Sequence, residues 1–345
     1  MSSIFNVSSD FFGLDIGTTA IRLVELRGSG NKSLVKYAYV PIEDKLSQSD
    51  SKADMQKVAK VVQQLVKQAG VATNNVAVGI PSSKVFTTVA DIDNLGTNDM
   101  AKAIPLQADA LIPTPLGESK IDWAVLGESP ADKTKQEVLL TSVANKFIEE
   151  RLDMLESVGL NVVAFEPDNL AMARALAIND TTPQLLLDVG HRSTDLVVVM
   201  NGVPHLTRSI PTGVEAIVRS AIQNLNIDDK QAEQFVFKFG LSKDKLEGQV
   251  FQAISGTVDL LVSEIEKSIK FFETRYAGKK IERIVVTGGA AVVPEFPLYL
   301  ANKFNLNVEI GNAWRNVSFS KDRQNELLAI SNQFGIAVGL AERTQ

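Results

Sequence analysis

Apolar residues along this chain come in short bursts closed by turn formers, and between the bursts they recur at helical spacing. The opening bursts predict strands at 11–15, 20–26 and 33–40. Residues 46–54, rich in Ser, Asp and Lys, predict an exposed loop. Val58, Val61, Val62, Leu65 and Val66 then form one stripe of a helix over 55–69, which Gly70 stops. A buried strand at 76–80 is closed by Pro81-Ser82-Ser83. The stretch 85–160 predicts an inserted subdomain, with strands at 85–92, 121–126 and 137–144 and helices at 101–111 and 149–160. Pro105 falls inside the first of these helices, where it would start or kink it. Residues 160–165 lead through Glu166-Pro167-Asp168-Asn169 into a helix at 170–176. Strands at 195–200 and 204–210 flank Asn201-Gly202, a pair that favours a tight primed turn. A helix at 213–225, a charged stretch at 228–248 and a long helix at 256–276 follow, the last with Val258, Leu261, Ile265 and Phe272 on one stripe. Strand and helix alternation predicts an α/β fold with helices over mixed sheets.

One turn is written twice. Asp15-Ile16-Gly17-Thr18-Thr19 follows Phe11, Phe12 and Leu14; Asp188-Val189-Gly190-His191-Arg192-Ser193-Thr194 follows Leu185, Leu186 and Leu187. From each Asp the next strand resumes at the same offset, with Leu23-Val24 and with Leu196-Val197. A buried strand ending in Asp, then Gly and small hydroxyl residues, suits phosphate. Gly allows close backbone approach, successive turn N–H groups make an anion nest, and magnesium takes one or two carboxylates while keeping water. A third element, Val285-Val286-Thr287-Gly288-Gly289-Ala290, is an apolar strand ending in a double glycine. Each piece alone is an ordinary turn; the ordered triple points to a nucleotide site.

Composition narrows the field. Zero Cys excludes disulfides, thiolate metal sites and cysteine nucleophiles, and two His make a histidine-rich zinc site untenable. A net charge of −6 gives no drive toward nucleic acid. No apolar run is long enough to span a bilayer, and the first residues lack the basic start and apolar stretch of a signal peptide. The chain therefore reads as soluble and cytoplasmic.

The order and spacing of the two hairpins and the Gly-Gly loop resemble the actin-like ATPase superfamily. Four further segments, Asn75–Ser83, Ala110–Pro113, Lys120–Gly127 and Phe334–Ala341, are similar to the type IV pilus assembly family PilM, itself related to the cell-division protein FtsA. The resemblance runs from about Phe12 to Glu342. It implies two similar halves around a nucleotide cleft, each with a peripheral insertion. The first core subdomain would comprise 1–84, 161–186 and 330–345, with 85–160 inserted. The second would comprise 187–227 and 277–329, with 228–276 as its small peripheral subdomain.

The resemblance implies ATP and Mg²⁺ as ligands. Asp15 and Asp188 would hold the metal. Gly17, Thr18 and Thr19 would meet the outer phosphates from one half, and Gly190, His191, Ser193 and Thr194 from the other. Gly288, Gly289 and Ala290 would lie against α-phosphate and sugar. Glu264 and Lys267, one helical turn apart, match a Glu-x-x-Lys that contacts the nucleoside in relatives; a solvated ion pair is the alternative. Arg22 either faces phosphate or turns to solvent. Glu166 either positions water or is a helix N-terminal acid stabilised by the dipole.

For function the resemblance implies an ATP-binding adaptor, with weak or no hydrolysis, that docks the N-terminal cytoplasmic peptide of a PilN-like inner-membrane protein. That places it at the inner face of the cytoplasmic membrane through a partner, without insertion. The peptide-receiving residues would be Pro81, Ser82, Ser83, Val85, Ile112 and Pro113. The alternatives are an FtsA-like polymerising ATPase, against which the lack of an amphipathic tail at Ala341–Gln345 counts, and a small-molecule kinase, for which no acidic residue is clearly placed as base.

Overall fold

A computed structural model of the chain describes residues 10–28, 30–95, 103–104, 106–107, 109–178 and 181–344. The chain divides into two compact units. The first contains the chain up to Pro81, Lys146–Ala175, and everything from Ala313 onward; the second contains Ser82–Asn145 and Leu176–Asn312.

The first unit is built on a sheet of β1 (Phe12–Ile16), β2 (Ala20–Arg27), β3 (Lys32–Pro41), β4 (Asn75–Ile80), β8 (Asn161–Pro167) and β14 (Val317–Ser318), in the order β14-β3-β2-β1-β4-β8. The first three strands form an antiparallel meander, and β4 then lies parallel to β1. The Lys52–Ala69 helix makes that crossover. It begins earlier than its apolar stripe, because the Ser51 side chain caps it by accepting from the Asp54 N–H, and Gly70 ends it in the left-handed conformation. The polar stretch read as a loop at 46–54 therefore contains the end of a short helix, Asp44–Ser47, and this cap. Phe12, Leu14, Ile21, Leu23, Val58, Val62 and Leu65 make the core.

The second unit repeats the plan. β9 (Gln184–Val189), β10 (Thr194–Met200) and β11 (Val203–Ile210) form an antiparallel meander, followed after a helical crossover by β12 (Arg283–Thr287) parallel to β9, and then β13 (Asn307–Ile310). The order β11-β10-β9-β12-β13 matches β3-β2-β1-β4-β8. The Asn201-Gly202 turn has φ of 54° and 74°, as a primed hairpin requires. The crossover helices are Val214–Leu225, Asp229–Phe239 and Gln249–Arg275. The last starts earlier than its predicted onset because Val250, Ala253 and Ile254 continue the buried stripe. A separate antiparallel sheet, β5 (Val85–Asp93), β7 (Lys135–Ala144) and β6 (Ser119–Glu128) in that spatial order, is the insertion. Its core gathers Ile92, Ile104, Ile112, Val138 and Leu140. The helix read at 101–111 is described in part; Pro105 lies outside the described residues.

Two long-range contacts decide where segments belong. β14 pairs with β3, and Trp314 is buried against Tyr37 and Phe334 with ring centroids 6.0 Å and 5.4 Å away. Such aromatic pairs contribute about 0.5–1.5 kcal/mol each beyond their area. Residues 313–329, read from sequence with the second core, thus join the first sheet. The closing helix, Gly335–Ala341, packs on β1 and on the Asp168–Leu176 helix at backbone distance: a Cβ at Gly13 would meet Ala337 O at 2.4 Å, and one at Gly339 would meet Ala171 O at 1.8 Å. Among the described residues no helix is long and apolar enough to cross a membrane.

Candidate functional site

The doubled motif folds into one turn made twice. The Gly17 N–H donates to Ala20 O at 3.1 Å, and the Gly190 N–H donates to Ser193 O at 2.9 Å. In both copies the motif Asp sits on the first strand, directly across from the residue seven positions later: Asp15 opposite Arg22, Asp188 opposite Asp195. Cross-strand neighbours on one face stand about 4.5–5.5 Å apart at Cβ. The two turns thus share a scaffold and differ in charge.

In the first, Asp15 is buried and Arg22 Nη1 donates to its Oδ2 at 3.4 Å. Burial pushes the Asp15 carboxyl above its ordinary range, and Arg22 opposes that rise. Arg22 therefore faces Asp15 at the turn rather than solvent. The turn is anchored from below, with Ser47 Oγ donating to Thr18 O at 2.7 Å and the Ile42 N–H to Thr19 O at 3.0 Å. The Gly17, Thr18 and Thr19 positions stay partly open.

In the second, two carboxylates face each other across β9 and β10. Burial pushes Asp195 up to about 6. Neither Asp195 Oδ1 nor Ser82 Oγ makes a hydrogen bond of normal length. The Ser209 and Ser82 hydroxyls are near enough only to soften the effect of burial. The sequence reading missed Asp195, although its offset from Asp188 equals that of Arg22 from Asp15. Like charges in direct register destabilise a sheet. Among the described residues no three carboxylates or histidines cluster as a metal site. One or two carboxylates suffice for magnesium when phosphate and water complete its shell, and this donor pair fits.

Two elements close on the second turn. The Val214–Leu225 helix begins there, its Val214 and Glu215 N–H groups donating to Gly190 O and His191 O at 2.9 Å and 2.8 Å. Gly213 is required at this junction, because a Cβ would lie 2.5 Å from His191 O. Composition marked 213 only as a helix start; its packing role was legible to no local rule. Gly288 has φ 81°, and a Cβ there would lie 2.2 Å from Asp188 Oδ1. Gly289 leads the next turn beside Val214. Ala290 is wholly buried, so its side chain faces the core rather than a ligand. Thr194 is likewise buried, and its hydroxyl donates to Thr212 O at 2.7 Å; it braces the turn instead of offering that hydroxyl to phosphate.

Glu264 and Lys267 form an ion pair at 2.5 Å, and Arg208 Nη2 donates to the other Glu264 oxygen at 2.6 Å. Hydrogen bonds from Lys267 and then Arg208 hold the Glu264 carboxyl below its ordinary range. Glu166 is buried and paired with Arg174 and with Arg343, the latter at 3.3 Å. This leaves no carboxylate oxygen there free to orient water. Of the peptide-receiving residues, Ser82 and Ser83 form a 3₁₀ turn leading into Val85. Ser82 lies beside Asp195, which ties this segment to the second hairpin. Ile112 is part of the inserted core, with Phe86, next to Val85, packed against the same cluster, whereas Pro113 is exposed.

Two duplicated meanders carrying matched Asp-x-Gly turns define an actin-like ATPase fold. Solved structures agree. The chain resembles a PilM–PilN type IV pilus biogenesis complex with a TM-score of 0.83, at 23% identity over 96% of this chain and 97% of that one. It resembles the ethanolamine utilization protein EutJ of Carboxydothermus hydrogenoformans with a TM-score of 0.56, at 16% identity over 96% and 88%. For MreB 5 of Spiroplasma citri bound to AMPPNP the TM-score is 0.53, at 14% identity over 96% and 95%. Residues 13–345 match the family described as type IV pilus assembly protein PilM, and the chain belongs to that family.

Proposed function

We propose that this protein is an ATP-binding adaptor of the type IV pilus assembly machinery that docks the N-terminal cytoplasmic peptide of a PilN-like inner-membrane protein. The observation that carries the reading is family membership over nearly the whole chain, joined to the repeated turn with its intact Gly and Asp positions. The structural likeness to a PilM–PilN complex supports the choice of partner. A partner anchored in the membrane would hold this chain at the inner face.

ATP is held by both hairpins. Gly17, Thr18 and Thr19 of one hairpin, and Gly190, His191 and Ser193 of the other, meet its outer phosphates. Gly288 and Gly289 give the backbone access to phosphate and sugar, and Glu264 with Lys267 contacts the nucleoside. Asp15 and Asp188 hold the metal, with Asp195 in register beside Asp188. Magnesium, when bound, would balance the phosphates. With Glu166 engaged by two arginines, hydrolysis is slow.

The partner segment is received by Pro81, Ser82, Ser83, Val85, Ile112 and Pro113, where main-chain hydrogen bonds give affinity and pockets give selectivity. A fluorescent peptide copied from the first ten or so residues of the cognate PilN-like protein, titrated with and without Mg-ATP, tests this. Saturable binding that Val85→Arg removes is the expected result. Absence of saturable binding in both conditions would contradict the adaptor reading.

A further inference from the structure

Within the second unit, a charged cluster joins the inserted sheet to the end of the Gln249–Arg275 helix. Asp91 of β5 and Glu137 of β7 are direct cross-strand partners, a like-charge pair that repels unless something positive joins it. Arg275, the last residue of the Gln249–Arg275 helix, does so. Its Nη2 donates to Asp91 Oδ1 and to Glu137 Oε1, each at 2.8 Å, and its Nε donates to Glu137 Oε1 at 3.0 Å. Tyr276 OH donates to the same oxygen at 2.7 Å, and His205 of β11 reaches Glu137 Oε2 at 3.3 Å. Glu137 is 2% exposed. Burial works against its charge, but the surrounding donors outweigh burial and hold its carboxyl below the ordinary range. A buried carboxylate with this many donors is costly to detach, so the insertion is fixed to the helix end.

The nucleoside-contacting pair proposed above lies on the same helix. Glu264 and Lys267 sit 11 and 8 residues before Arg275, about 16 and 12 Å along a rigid rod. β5 in turn begins at Val85, immediately after the Ser82–Lys84 turn. We infer that the Arg275 clamp couples nucleotide to partner: it makes the inserted sheet and the nucleoside-contacting helix one body, so that ATP occupancy alters the peptide-receiving segment. This inference rests on the adaptor reading for the identity of both ligands; the clamp itself does not.

The test is amide hydrogen exchange on the full chain, with and without Mg-ATP, in the parent, Asp91→Asn and Arg275→Ala. Asp91→Asn leaves Glu137 all its donors, which guards against simple unfolding. In the parent, Mg-ATP should slow exchange across β5 and β7, and the peptide's affinity should change by at least about fivefold, the low end of ordinary coupling. Both variants should bind Mg-ATP within about twofold of the parent, yet lose the exchange response and bring the affinity ratio close to one. A parent that binds Mg-ATP without any change in β5 and β7, or variants that respond like the parent, would overturn the coupling. A peptide that never binds would count against the adaptor reading, and the exchange arm would still decide the clamp.

Discussion

Two neighbouring glycines separate structure from ligand. Gly288 holds φ 81° and ψ −170°, a backbone state essentially confined to glycine, and an added Cβ would lie 2.2 Å from Asp188 Oδ1 and 2.6 Å from Val189 O. The backbone strain of Gly288→Ala costs about 1–3 kcal/mol. Overpacking adds about 1–3 kcal/mol. Together these lower the melting temperature by on the order of 10 °C. Gly289 lies in a 3₁₀ turn, and its added Cβ would meet Val214 Cγ2 at 3.4 Å and Val189 O at 3.9 Å, ordinary contact. Gly289→Ala should leave stability unchanged or raise it by up to about 1 kcal/mol, through the unfolded chain. Gly289→Val, which projects further, should fold yet weaken Mg-ATP at least tenfold, about 1.4 kcal/mol, because the ligand needs that space. Thermal unfolding without ligand, followed by calorimetric titration of Mg-ATP, reads both effects. A stable Gly288→Ala protein would refute the packing argument, and a Gly289→Val protein that binds like the parent would refute the placement of the nucleotide.

Asp195 gives a pH signature. Its carboxyl is raised by burial from 3.8 to about 6, so the folded state carries an uncompensated cost above pH 6 that fades as pH falls toward 4. Asp195→Asn should therefore stabilise the ligand-free protein at pH 7.5, by up to about 3 kcal/mol, and not at pH 4. The same variant should gain less from Mg-ATP than the parent does. Equal melting temperatures at pH 7.5 would remove the basis for a cation at this pair. Phosphate release should stay below about 1 s⁻¹, the lower edge of ordinary enzyme turnover, since Glu166 is held by Arg174 and Arg343. Faster steady release would bring back the motor or kinase readings.

The parts that were legible in the sequence are those fixed by local chemistry. Asp-x-Gly followed by small polar residues specifies its turn without help from elsewhere, so both hairpins and their strands could be read directly. The stripe in 55–69 and the Asn201-Gly202 turn are of the same kind. Less legible were caps, because Ser51 and Asp54 look like loop until the helix behind them forms. Least legible were contacts between residues far apart in the chain. Nothing local tells that Glu137 meets Arg275, 138 positions away, or that Val317 pairs with Lys32. The charge difference between the two turns lay between these extremes: Arg22 and Asp195 occupy matched offsets, but only the strand register makes the offset meaningful.

Nucleotide binding by the two hairpins is measured most directly by calorimetric titration of Mg-ATP into the parent and Asp188→Asn. Asp188 faces Asp195 in register on the neighbouring strand and lies against Gly288, so this variant removes the charge at the second turn while keeping its shape. The predicted result is one saturable site in the parent and an affinity at least about tenfold weaker in the variant. No heat of binding in the parent, or equal affinities in the two proteins, would contradict it.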